Sequence, residues 1–224
     1  MNSEFNRSIN SQFFLGLLFS LCGCATFAES TGGISSELIG KFRNTNYYIA
    51  YEADYNDAQT SEVVQTMSGA VIANVGPTFK KHLNIEGTGK LKDGRVVNYA
   101  GRYDKDIRYR VTEHQFGDGV GTCALMPFKT VAMDSSMVAL GSVVKIDESV
   151  GMKLPDGTVH NGLWRVEDIG DAIKKDRVDL FIGKEGNNKY LVDGGITHLK
   201  ALTIRVVQAP PLYNCADQEH VTTE

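Results

Sequence analysis

Five short runs follow one another through the second half of the chain. They are TVAMD (residues 130–134), SVVKID (142–147), GLWRVED (162–168), RVDLFI (177–182) and ALTIRVV (201–207). Each is rich in β-branched or aromatic residues, and a turn signal follows each. None is long enough for a stable helix. Runs this short and this frequent restrict the chain to a small barrel or sandwich. The first half adds similar signals. YYIAYEADY begins at Tyr47, and IRYRV (107–111) alternates apolar and basic residues, as a half-buried strand does. Lys92-Asp93-Gly94 is a tight-turn tripeptide between alternating segments. Leu154-Pro155-Asp156-Gly157 and Gly76-Pro77 are further turn signals. Residues 56–70 are polar and read as a short helix or a loop. The 23 glycines and 5 prolines fit a fold with many turns.

The 224 residues suffice for one sizeable domain. With 42% apolar and 22% charged residues the chain can bury a core, so it is not a disordered segment. A net charge of −4 without a concentrated basic patch argues against a nucleic-acid partner.

The start of the chain reads differently. FFLGLLFSL (13–21) is apolar or small throughout. It falls short of the about 20 residues a membrane span needs, and its length suits the h-region of a secretory signal. Thr26-Phe27-Ala28 offers a small-x-small cleavage site. Leu21-Cys22-Gly23-Cys24 offers a lipobox, with Cys24 as the lipidated residue. Residues 1–28 are therefore read as a signal peptide, or as a lipoprotein signal ending before Cys24. Residues 29–44 follow as a linker, 45–208 as the β domain and 209–224 as a tail. An exported chain keeps two cysteines, Cys123 and Cys215, and an oxidising compartment permits one disulfide between them. Two unpaired thiols are the other reading. A membrane is touched only through a lipid anchor, and the chain is expected to be a monomer.

The most charged stretch is EDIGDAIKKDRVDLF (167–181). It holds four aspartates and one glutamate against three basic residues. A solvated loop accounts for Asp171, Lys174, Lys175 and Asp176, and Asp171 is placed to cap a short helix, AIKK. It accounts poorly for Asp179. On the alternation of 177–182, Asp179 sits inside a strand with Arg177 and Phe181 on its face, and aspartate is disfavoured there. A calcium loop needs acids at alternate positions, a glycine and a late glutamate, which this spacing does not supply. The third reading is a carboxyl whose pKa is raised by burial or by a neighbouring acid, able to give up a proton and take one back. Composition alone does not choose among them.

The residues VAMDSSMVALGS and GLWRVEDIGDAIKKDRVDLFIG do more. They resemble the three-aspartate (3D) domain, found in bacterial cell-wall proteins and in the barrel domain of the type A membrane-bound lytic murein transglycosylases. The three aspartates fall on Asp134, Asp168 and Asp179, and the likeness spans roughly residues 121–207. It implies an all-β fold, a six-stranded double-psi β-barrel with short helices. It implies cleavage of peptidoglycan glycan strands without water, leaving 1,6-anhydro ends. Asp179 would serve as the single acid and then base, with Asp168 and Asp134 keeping it protonated and oriented. Such a protein works at the cell wall, in the periplasm or on the outer membrane. Its partner is the glycan strand, with neither cofactor nor metal. A non-catalytic peptidoglycan-binding barrel and a hydrolytic glycosidase are the alternatives. The sequence departs from the family pattern at Asp171 and Lys175, where glycines are usual, and at Ala139, where a proline is usual.

Other residues are candidates for the substrate groove. Glu86, between an apolar residue and a glycine, could be a second carboxylate there, although an exposed loop acid is the commoner use. Tyr99, Trp164 and the Tyr47/Tyr48 pair could stack on sugar rings, although strand aromatics more often pack in cores. Arg177 could hold a substrate carboxyl or pair with Asp176. The five histidines show no metal spacing.

Overall fold

A computed structural model describes residues 36–210 and Cys215. The signal segment and Cys24 lie outside the described residues. In chain order the elements are β1 (Glu37–Tyr48), β2 (Ala50–Tyr51), β3 (Glu62–Gln65), β4 (Val71–Val75), α1 (Pro77–Glu86), β5 (Thr88–Lys90), β6 (Val96–Tyr103), β7 (Asp106–Thr112), β8 (Thr130–Met133), β9 (Val143–Ile146), β10 (Leu163–Asp168), β11 (Arg177–Gly183), α2 (Asn188–Asp193) and β12 (Ala201–Gln208).

Six strands close a barrel in the order β1-β11-β8-β10-β9-β12. β1/β11 and β8/β10 are parallel pairs, and the other four are antiparallel. The five short runs are all barrel strands, and the sixth comes from the start of the described chain. Closure removes exposed sheet edges and turns one side chain in two inward. Phe42, Val131, Val144, Trp164, Val166, Val178, Leu180, Ile182, Leu202 and Ile204 belong to one buried cluster there.

Two boundaries differ from the sequence reading. Residues 29–44 are not a linker throughout, because β1 begins at Glu37 and pairs with both β11 and β12. ELIGKFRNTN has too little alternation to announce a strand, and its order comes from two long-range ladders. The span 45–208 is not one barrel either. Residues 50–112 form a second lobe with a four-stranded sheet, β2-β5-β6-β7, and the separate β3/β4 hairpin. Its core is Ala50, Val64, Val75, Phe79, Leu83, Leu91, Val97 and Tyr109. Residues 56–70, read as a helix or loop, contain strand β3.

Helix α1 explains why Gly76-Pro77 is more than a turn. Pro77 stands in the first helical turn, where its missing N–H costs nothing. Asp57 accepts bonds from the Thr78 and Phe79 amides, which no helical carbonyl can reach. Gly87 ends the helix at φ +75°. Phe79 and Leu83 face the lobe core, and Glu86 is left as the last helical residue.

The glycine-rich loop FGDGVGT seals the lobe against the barrel. A third buried cluster, Ile49, Leu125 and Phe181, joins them, with Tyr47, Tyr51 and Phe116 packed on it. A Cβ at Gly119 would stand 2.2 Å from the Glu167 carbonyl oxygen. Gly119→Ala must therefore displace backbone of β10, and it is expected to cost about 1–3 kcal/mol, the range for overpacking. Urea titration measures this directly, and an unchanged midpoint would contradict the close approach. Cys123, in the same loop, is disulfide-bonded to Cys215, 92 residues away. No described helix is long and apolar enough to cross a membrane.

Candidate active site

The barrel register gathers the acids. Asp179 on β11 and Asp168 on β10 are both ladder partners of Ala132 on β8, one on each side. Thr45 on β1 is the partner of Asp179 on its far side. One row therefore reads Thr45, Asp179, Ala132, Asp168 across four strands. Strand spacing puts the two aspartate Cα atoms roughly 10 Å apart. Ala132 between them has a single methyl, so little side chain fills the gap. Asp168 reaches its place through a bulge after Val166. That bulge leaves Glu167 buried in an ion pair with Arg165, at 2.6 Å.

Each acid has distinct surroundings. Asp168 accepts the Tyr47 hydroxyl at 2.8 Å on Oδ2 and the Ile169 amide at 2.9 Å on Oδ1. Burial outweighs these bonds and, with the charges of Asp179 and Glu167, raises its pKa to about 6. Burial also raises Asp179, while the Thr45 hydroxyl and the Arg177 guanidinium pull it the other way. Oδ1 of Asp179 is buried without a hydrogen-bond partner. Tyr47 lies over Phe181, ring centroids 4.9 Å apart, so an apolar floor supports the row.

A third acid approaches from the other lobe. Glu86 ends α1 and accepts the Tyr48 amide at 3.3 Å. Burial raises its pKa to about 7, with the charges of Asp179 and Glu185 adding to it. Its place at the carbonyl end of a helix also disfavours a negative charge. Glu86 is thus a half-buried acid at the barrel, and not a loop acid in solvent. Sequence reasoning placed Tyr47 as a stacking ring and passed over Thr45. A hydroxyl bonded 121 positions away leaves no local signal.

Asp134 stands apart from this group. Its Oδ1 accepts the Ser136 amide and hydroxyl, and its Oδ2 accepts the Lys175 amide at 2.9 Å. These bonds hold its pKa down to about 2. Asp134 anchors the turn between β10 and β11. No AIKK helix forms in that turn, so Asp171 has no helix to cap. Lys175 is the residue with positive φ, +54°, and Asp171 is not among such residues. Lys175→Gly relieves a left-handed conformation that costs an L-residue about 1–2 kcal/mol. Glycine's unfolded-state entropy offsets part of that. A net gain near 0.5–1 kcal/mol is expected in a denaturant midpoint, and a loss of stability would contradict it.

The remaining candidates separate cleanly. Trp164 is 0% exposed, donates to Ser149 Oγ at 3.0 Å and stacks on His160. It is a core residue and cannot meet a sugar. Tyr99 is 46% exposed on β6, and its amide donates to Gly87, next to Glu86. Arg177 donates to Thr45 Oγ1 at 3.3 Å, and its Nε is buried without a partner. Asp176 pairs with Arg43 rather than with Arg177.

Comparison with known proteins fits this geometry. Residues 129–199 match the 3D domain family. The chain carries a 3D domain. Asp134, Asp168 and Asp179 lie within the matched residues, whereas Glu86, Tyr99 and Tyr47 lie outside them. The fold is similar to E. coli MltA with bound chitohexaose, at TM-score 0.54 and 16% identity, over 77% of this chain and 73% of that one. It is also similar to a membrane-bound lytic murein transglycosylase from Agrobacterium tumefaciens, at TM-score 0.50 and 12% identity, over 76% and 74% of the two chains. No curated protein sequence matches.

Proposed function

We propose that the chain cleaves peptidoglycan glycan strands as a lytic transglycosylase, with Asp179 as its single acid and base. The observation that carries this reading is the Asp179 carboxyl: buried, raised in pKa, and with one oxygen unpartnered in the row beside Asp168. A protonated carboxyl can donate to the glycosidic oxygen as the bond to the sugar C1 breaks. The resulting carboxylate then takes the proton of the sugar's own 6-hydroxyl as that oxygen attacks C1. The proton count returns to its start and no water is consumed.

Asp168, clamped by Tyr47, holds a second carboxyl across Ala132 from Asp179, and the charge of Asp179 helps raise its pKa. Asp134 acts at one remove, by fixing the turn that joins β10 to β11. Arg177 orients Thr45 against Asp179, and Tyr99 supplies an exposed ring on the Glu86 side. The two parallel pairs, β1/β11 and β8/β10, within a six-stranded closed barrel support naming the topology double-psi. The Cys123–Cys215 bridge supports an oxidising, exported location facing the wall. The glycan-bound and lytic relatives reported above support the substrate class.

A hydrolytic glycosidase would use two carboxyl groups and leave reducing ends. A non-catalytic barrel would bind sacculi and release nothing. The ends of the released muropeptides separate all three.

Glu86→Gln gives a test from the second lobe. The charge of Asp179 adds to the burial that raises the Glu86 pKa to about 7, so Glu86 contributes an ionisation of its own near neutral pH. If Glu86 takes part at the site, Glu86→Gln is expected to remove the ionisation near pH 7 from the pH–rate profile. Stability depends on the same ionisation. A carboxyl raised on folding from 4.5 to about 7 contributes stability below pH 4.5 that is lost as pH rises to about 7. Glu86→Gln is expected to flatten that window in thermal melts. An unchanged profile and unchanged melts would remove Glu86 from the site.

A further inference from the structure

The second lobe holds a cleft of about 470 Å³, away from the acid row. Its walls are α1, β3 and the β6–β7 hairpin. Four cations line it, Lys80, Arg102, Lys105 and Arg108, with two acids, Glu62 and Asp106. Four positive and two negative groups leave a net +2 there, within a chain of net −4. Arg108 forms the base. Its side chain is only 11% exposed, it donates to the Gln65 side-chain oxygen, and Asp106 stands 3.6 Å from its Nη2. Its Nε is buried without a partner. Lys80 is held over the Tyr109 ring, 4.7 Å from its centre. Among the described residues, Lys80, Arg102 and Lys105 form no ion pair.

Like charges gathered in one cleft repel, and among the described residues Lys80, Arg102 and Lys105 have no ion-pair partner to offset them. A carboxylate answers this, since it accepts charge-assisted bonds from the exposed Arg102 guanidinium and the lysine ammonium groups and neutralises the ring of cations. Glu62 and Asp106 on the same walls suit an ammonium group. We propose that this cleft binds the zwitterionic, carboxylate-bearing end of a short peptide. The stem peptide of peptidoglycan is the source, and that identification rests on the glycan-cleaving reading. The cleft would then hold the peptide of the strand whose glycan lies on the barrel.

The test is calorimetric titration of the purified chain with a synthetic stem tetrapeptide bearing free carboxylates. The same peptide amidated at its carboxylates, chitohexaose and inorganic phosphate are the other probes. The tetrapeptide is expected to bind. Amidation, Lys80→Ala and Arg102→Ala are each expected to weaken it about ten-fold or more, as loss of a charge-assisted bond does. Both variants alter exposed or half-exposed side chains, so folding is retained, and melting curves verify it. Chitohexaose binding should be the same in the variants and the wild type. Tetrapeptide affinity that is absent, or indifferent to these substitutions, overturns the proposal. So does a cleft that takes phosphate but not peptide, which would make it an inorganic anion site only. If the glycan-cleaving reading is wrong, sacculi remain intact, and the peptide titration is unaffected by that result.

Discussion

Asp179→Asn is expected to reduce release of anhydro-ended muropeptides about a thousand-fold, within the range for removing a general acid–base group. It should do so without unfolding the chain. Asparagine has the shape of aspartate but carries no charge, and burial is what penalises charge at this position. The Oδ1 of Asp179 has no hydrogen bond to lose. The melting temperature of Asp179→Asn at neutral pH should therefore equal or exceed that of the wild type. Catalytic loss with retained or increased stability marks a group kept for chemistry at some cost to the fold. Asp134→Asn should behave in the opposite way. It weakens the bonds to Ser136 and Lys175, so any loss of activity should accompany a loss of stability.

The second large effect belongs to the disulfide. Cys123 and Cys215 close a loop of 92 residues that contains β8 to β12. Restricting so long a loop in the unfolded chain is worth about 4–5 kcal/mol in the loop-entropy account, with measured losses of about 2–5 kcal/mol. Cys123→Ser, Cys215→Ser or reduction should each lower the melting temperature by roughly 10 °C for a chain of this size. Reducing agent should have no further effect on either variant. Activity should also suffer near the new melting point, because Leu125 of the same loop packs under Tyr47 with Phe181. A melt insensitive to reductant would mean that the bridge contributes little.

The legibility of this fold in its sequence divides along physical lines. Barrel strands β8 to β12 were readable because β-branched and aromatic residues crowd short runs that turns bound. β1 was not readable from Glu37 to Asn44. Its residues are largely polar, and ladders to residues more than 130 positions away make it a strand. α1 was missed because PTFKKHLNIE buries only Phe79 and Leu83. The available signal was the Pro77 start and the Gly87 stop. Strand IRYRV was recognised, but alternation cannot say which sheet a strand joins, so the second lobe was merged with the barrel.

The site divides in the same way. Asp179 was legible as a candidate because an aspartate inside a strand is anomalous, and a family motif points to both Asp168 and Asp179. Lys175 was recognised as a departure from glycine. Its positive φ required coordinates. Thr45, Tyr47 and Glu86 meet the acids only through barrel closure and lobe packing. Trp164 looked like a sugar platform because strand position alone does not reveal which face is inside.

The most direct measurement is mass spectrometry of the soluble products after purified sacculi are digested with the wild-type chain and with Asp179→Asn. The account predicts muropeptides ending in 1,6-anhydro sugars from the wild type and essentially none from the variant. Reducing ends, equal release by both proteins, or no release by the wild type would contradict it.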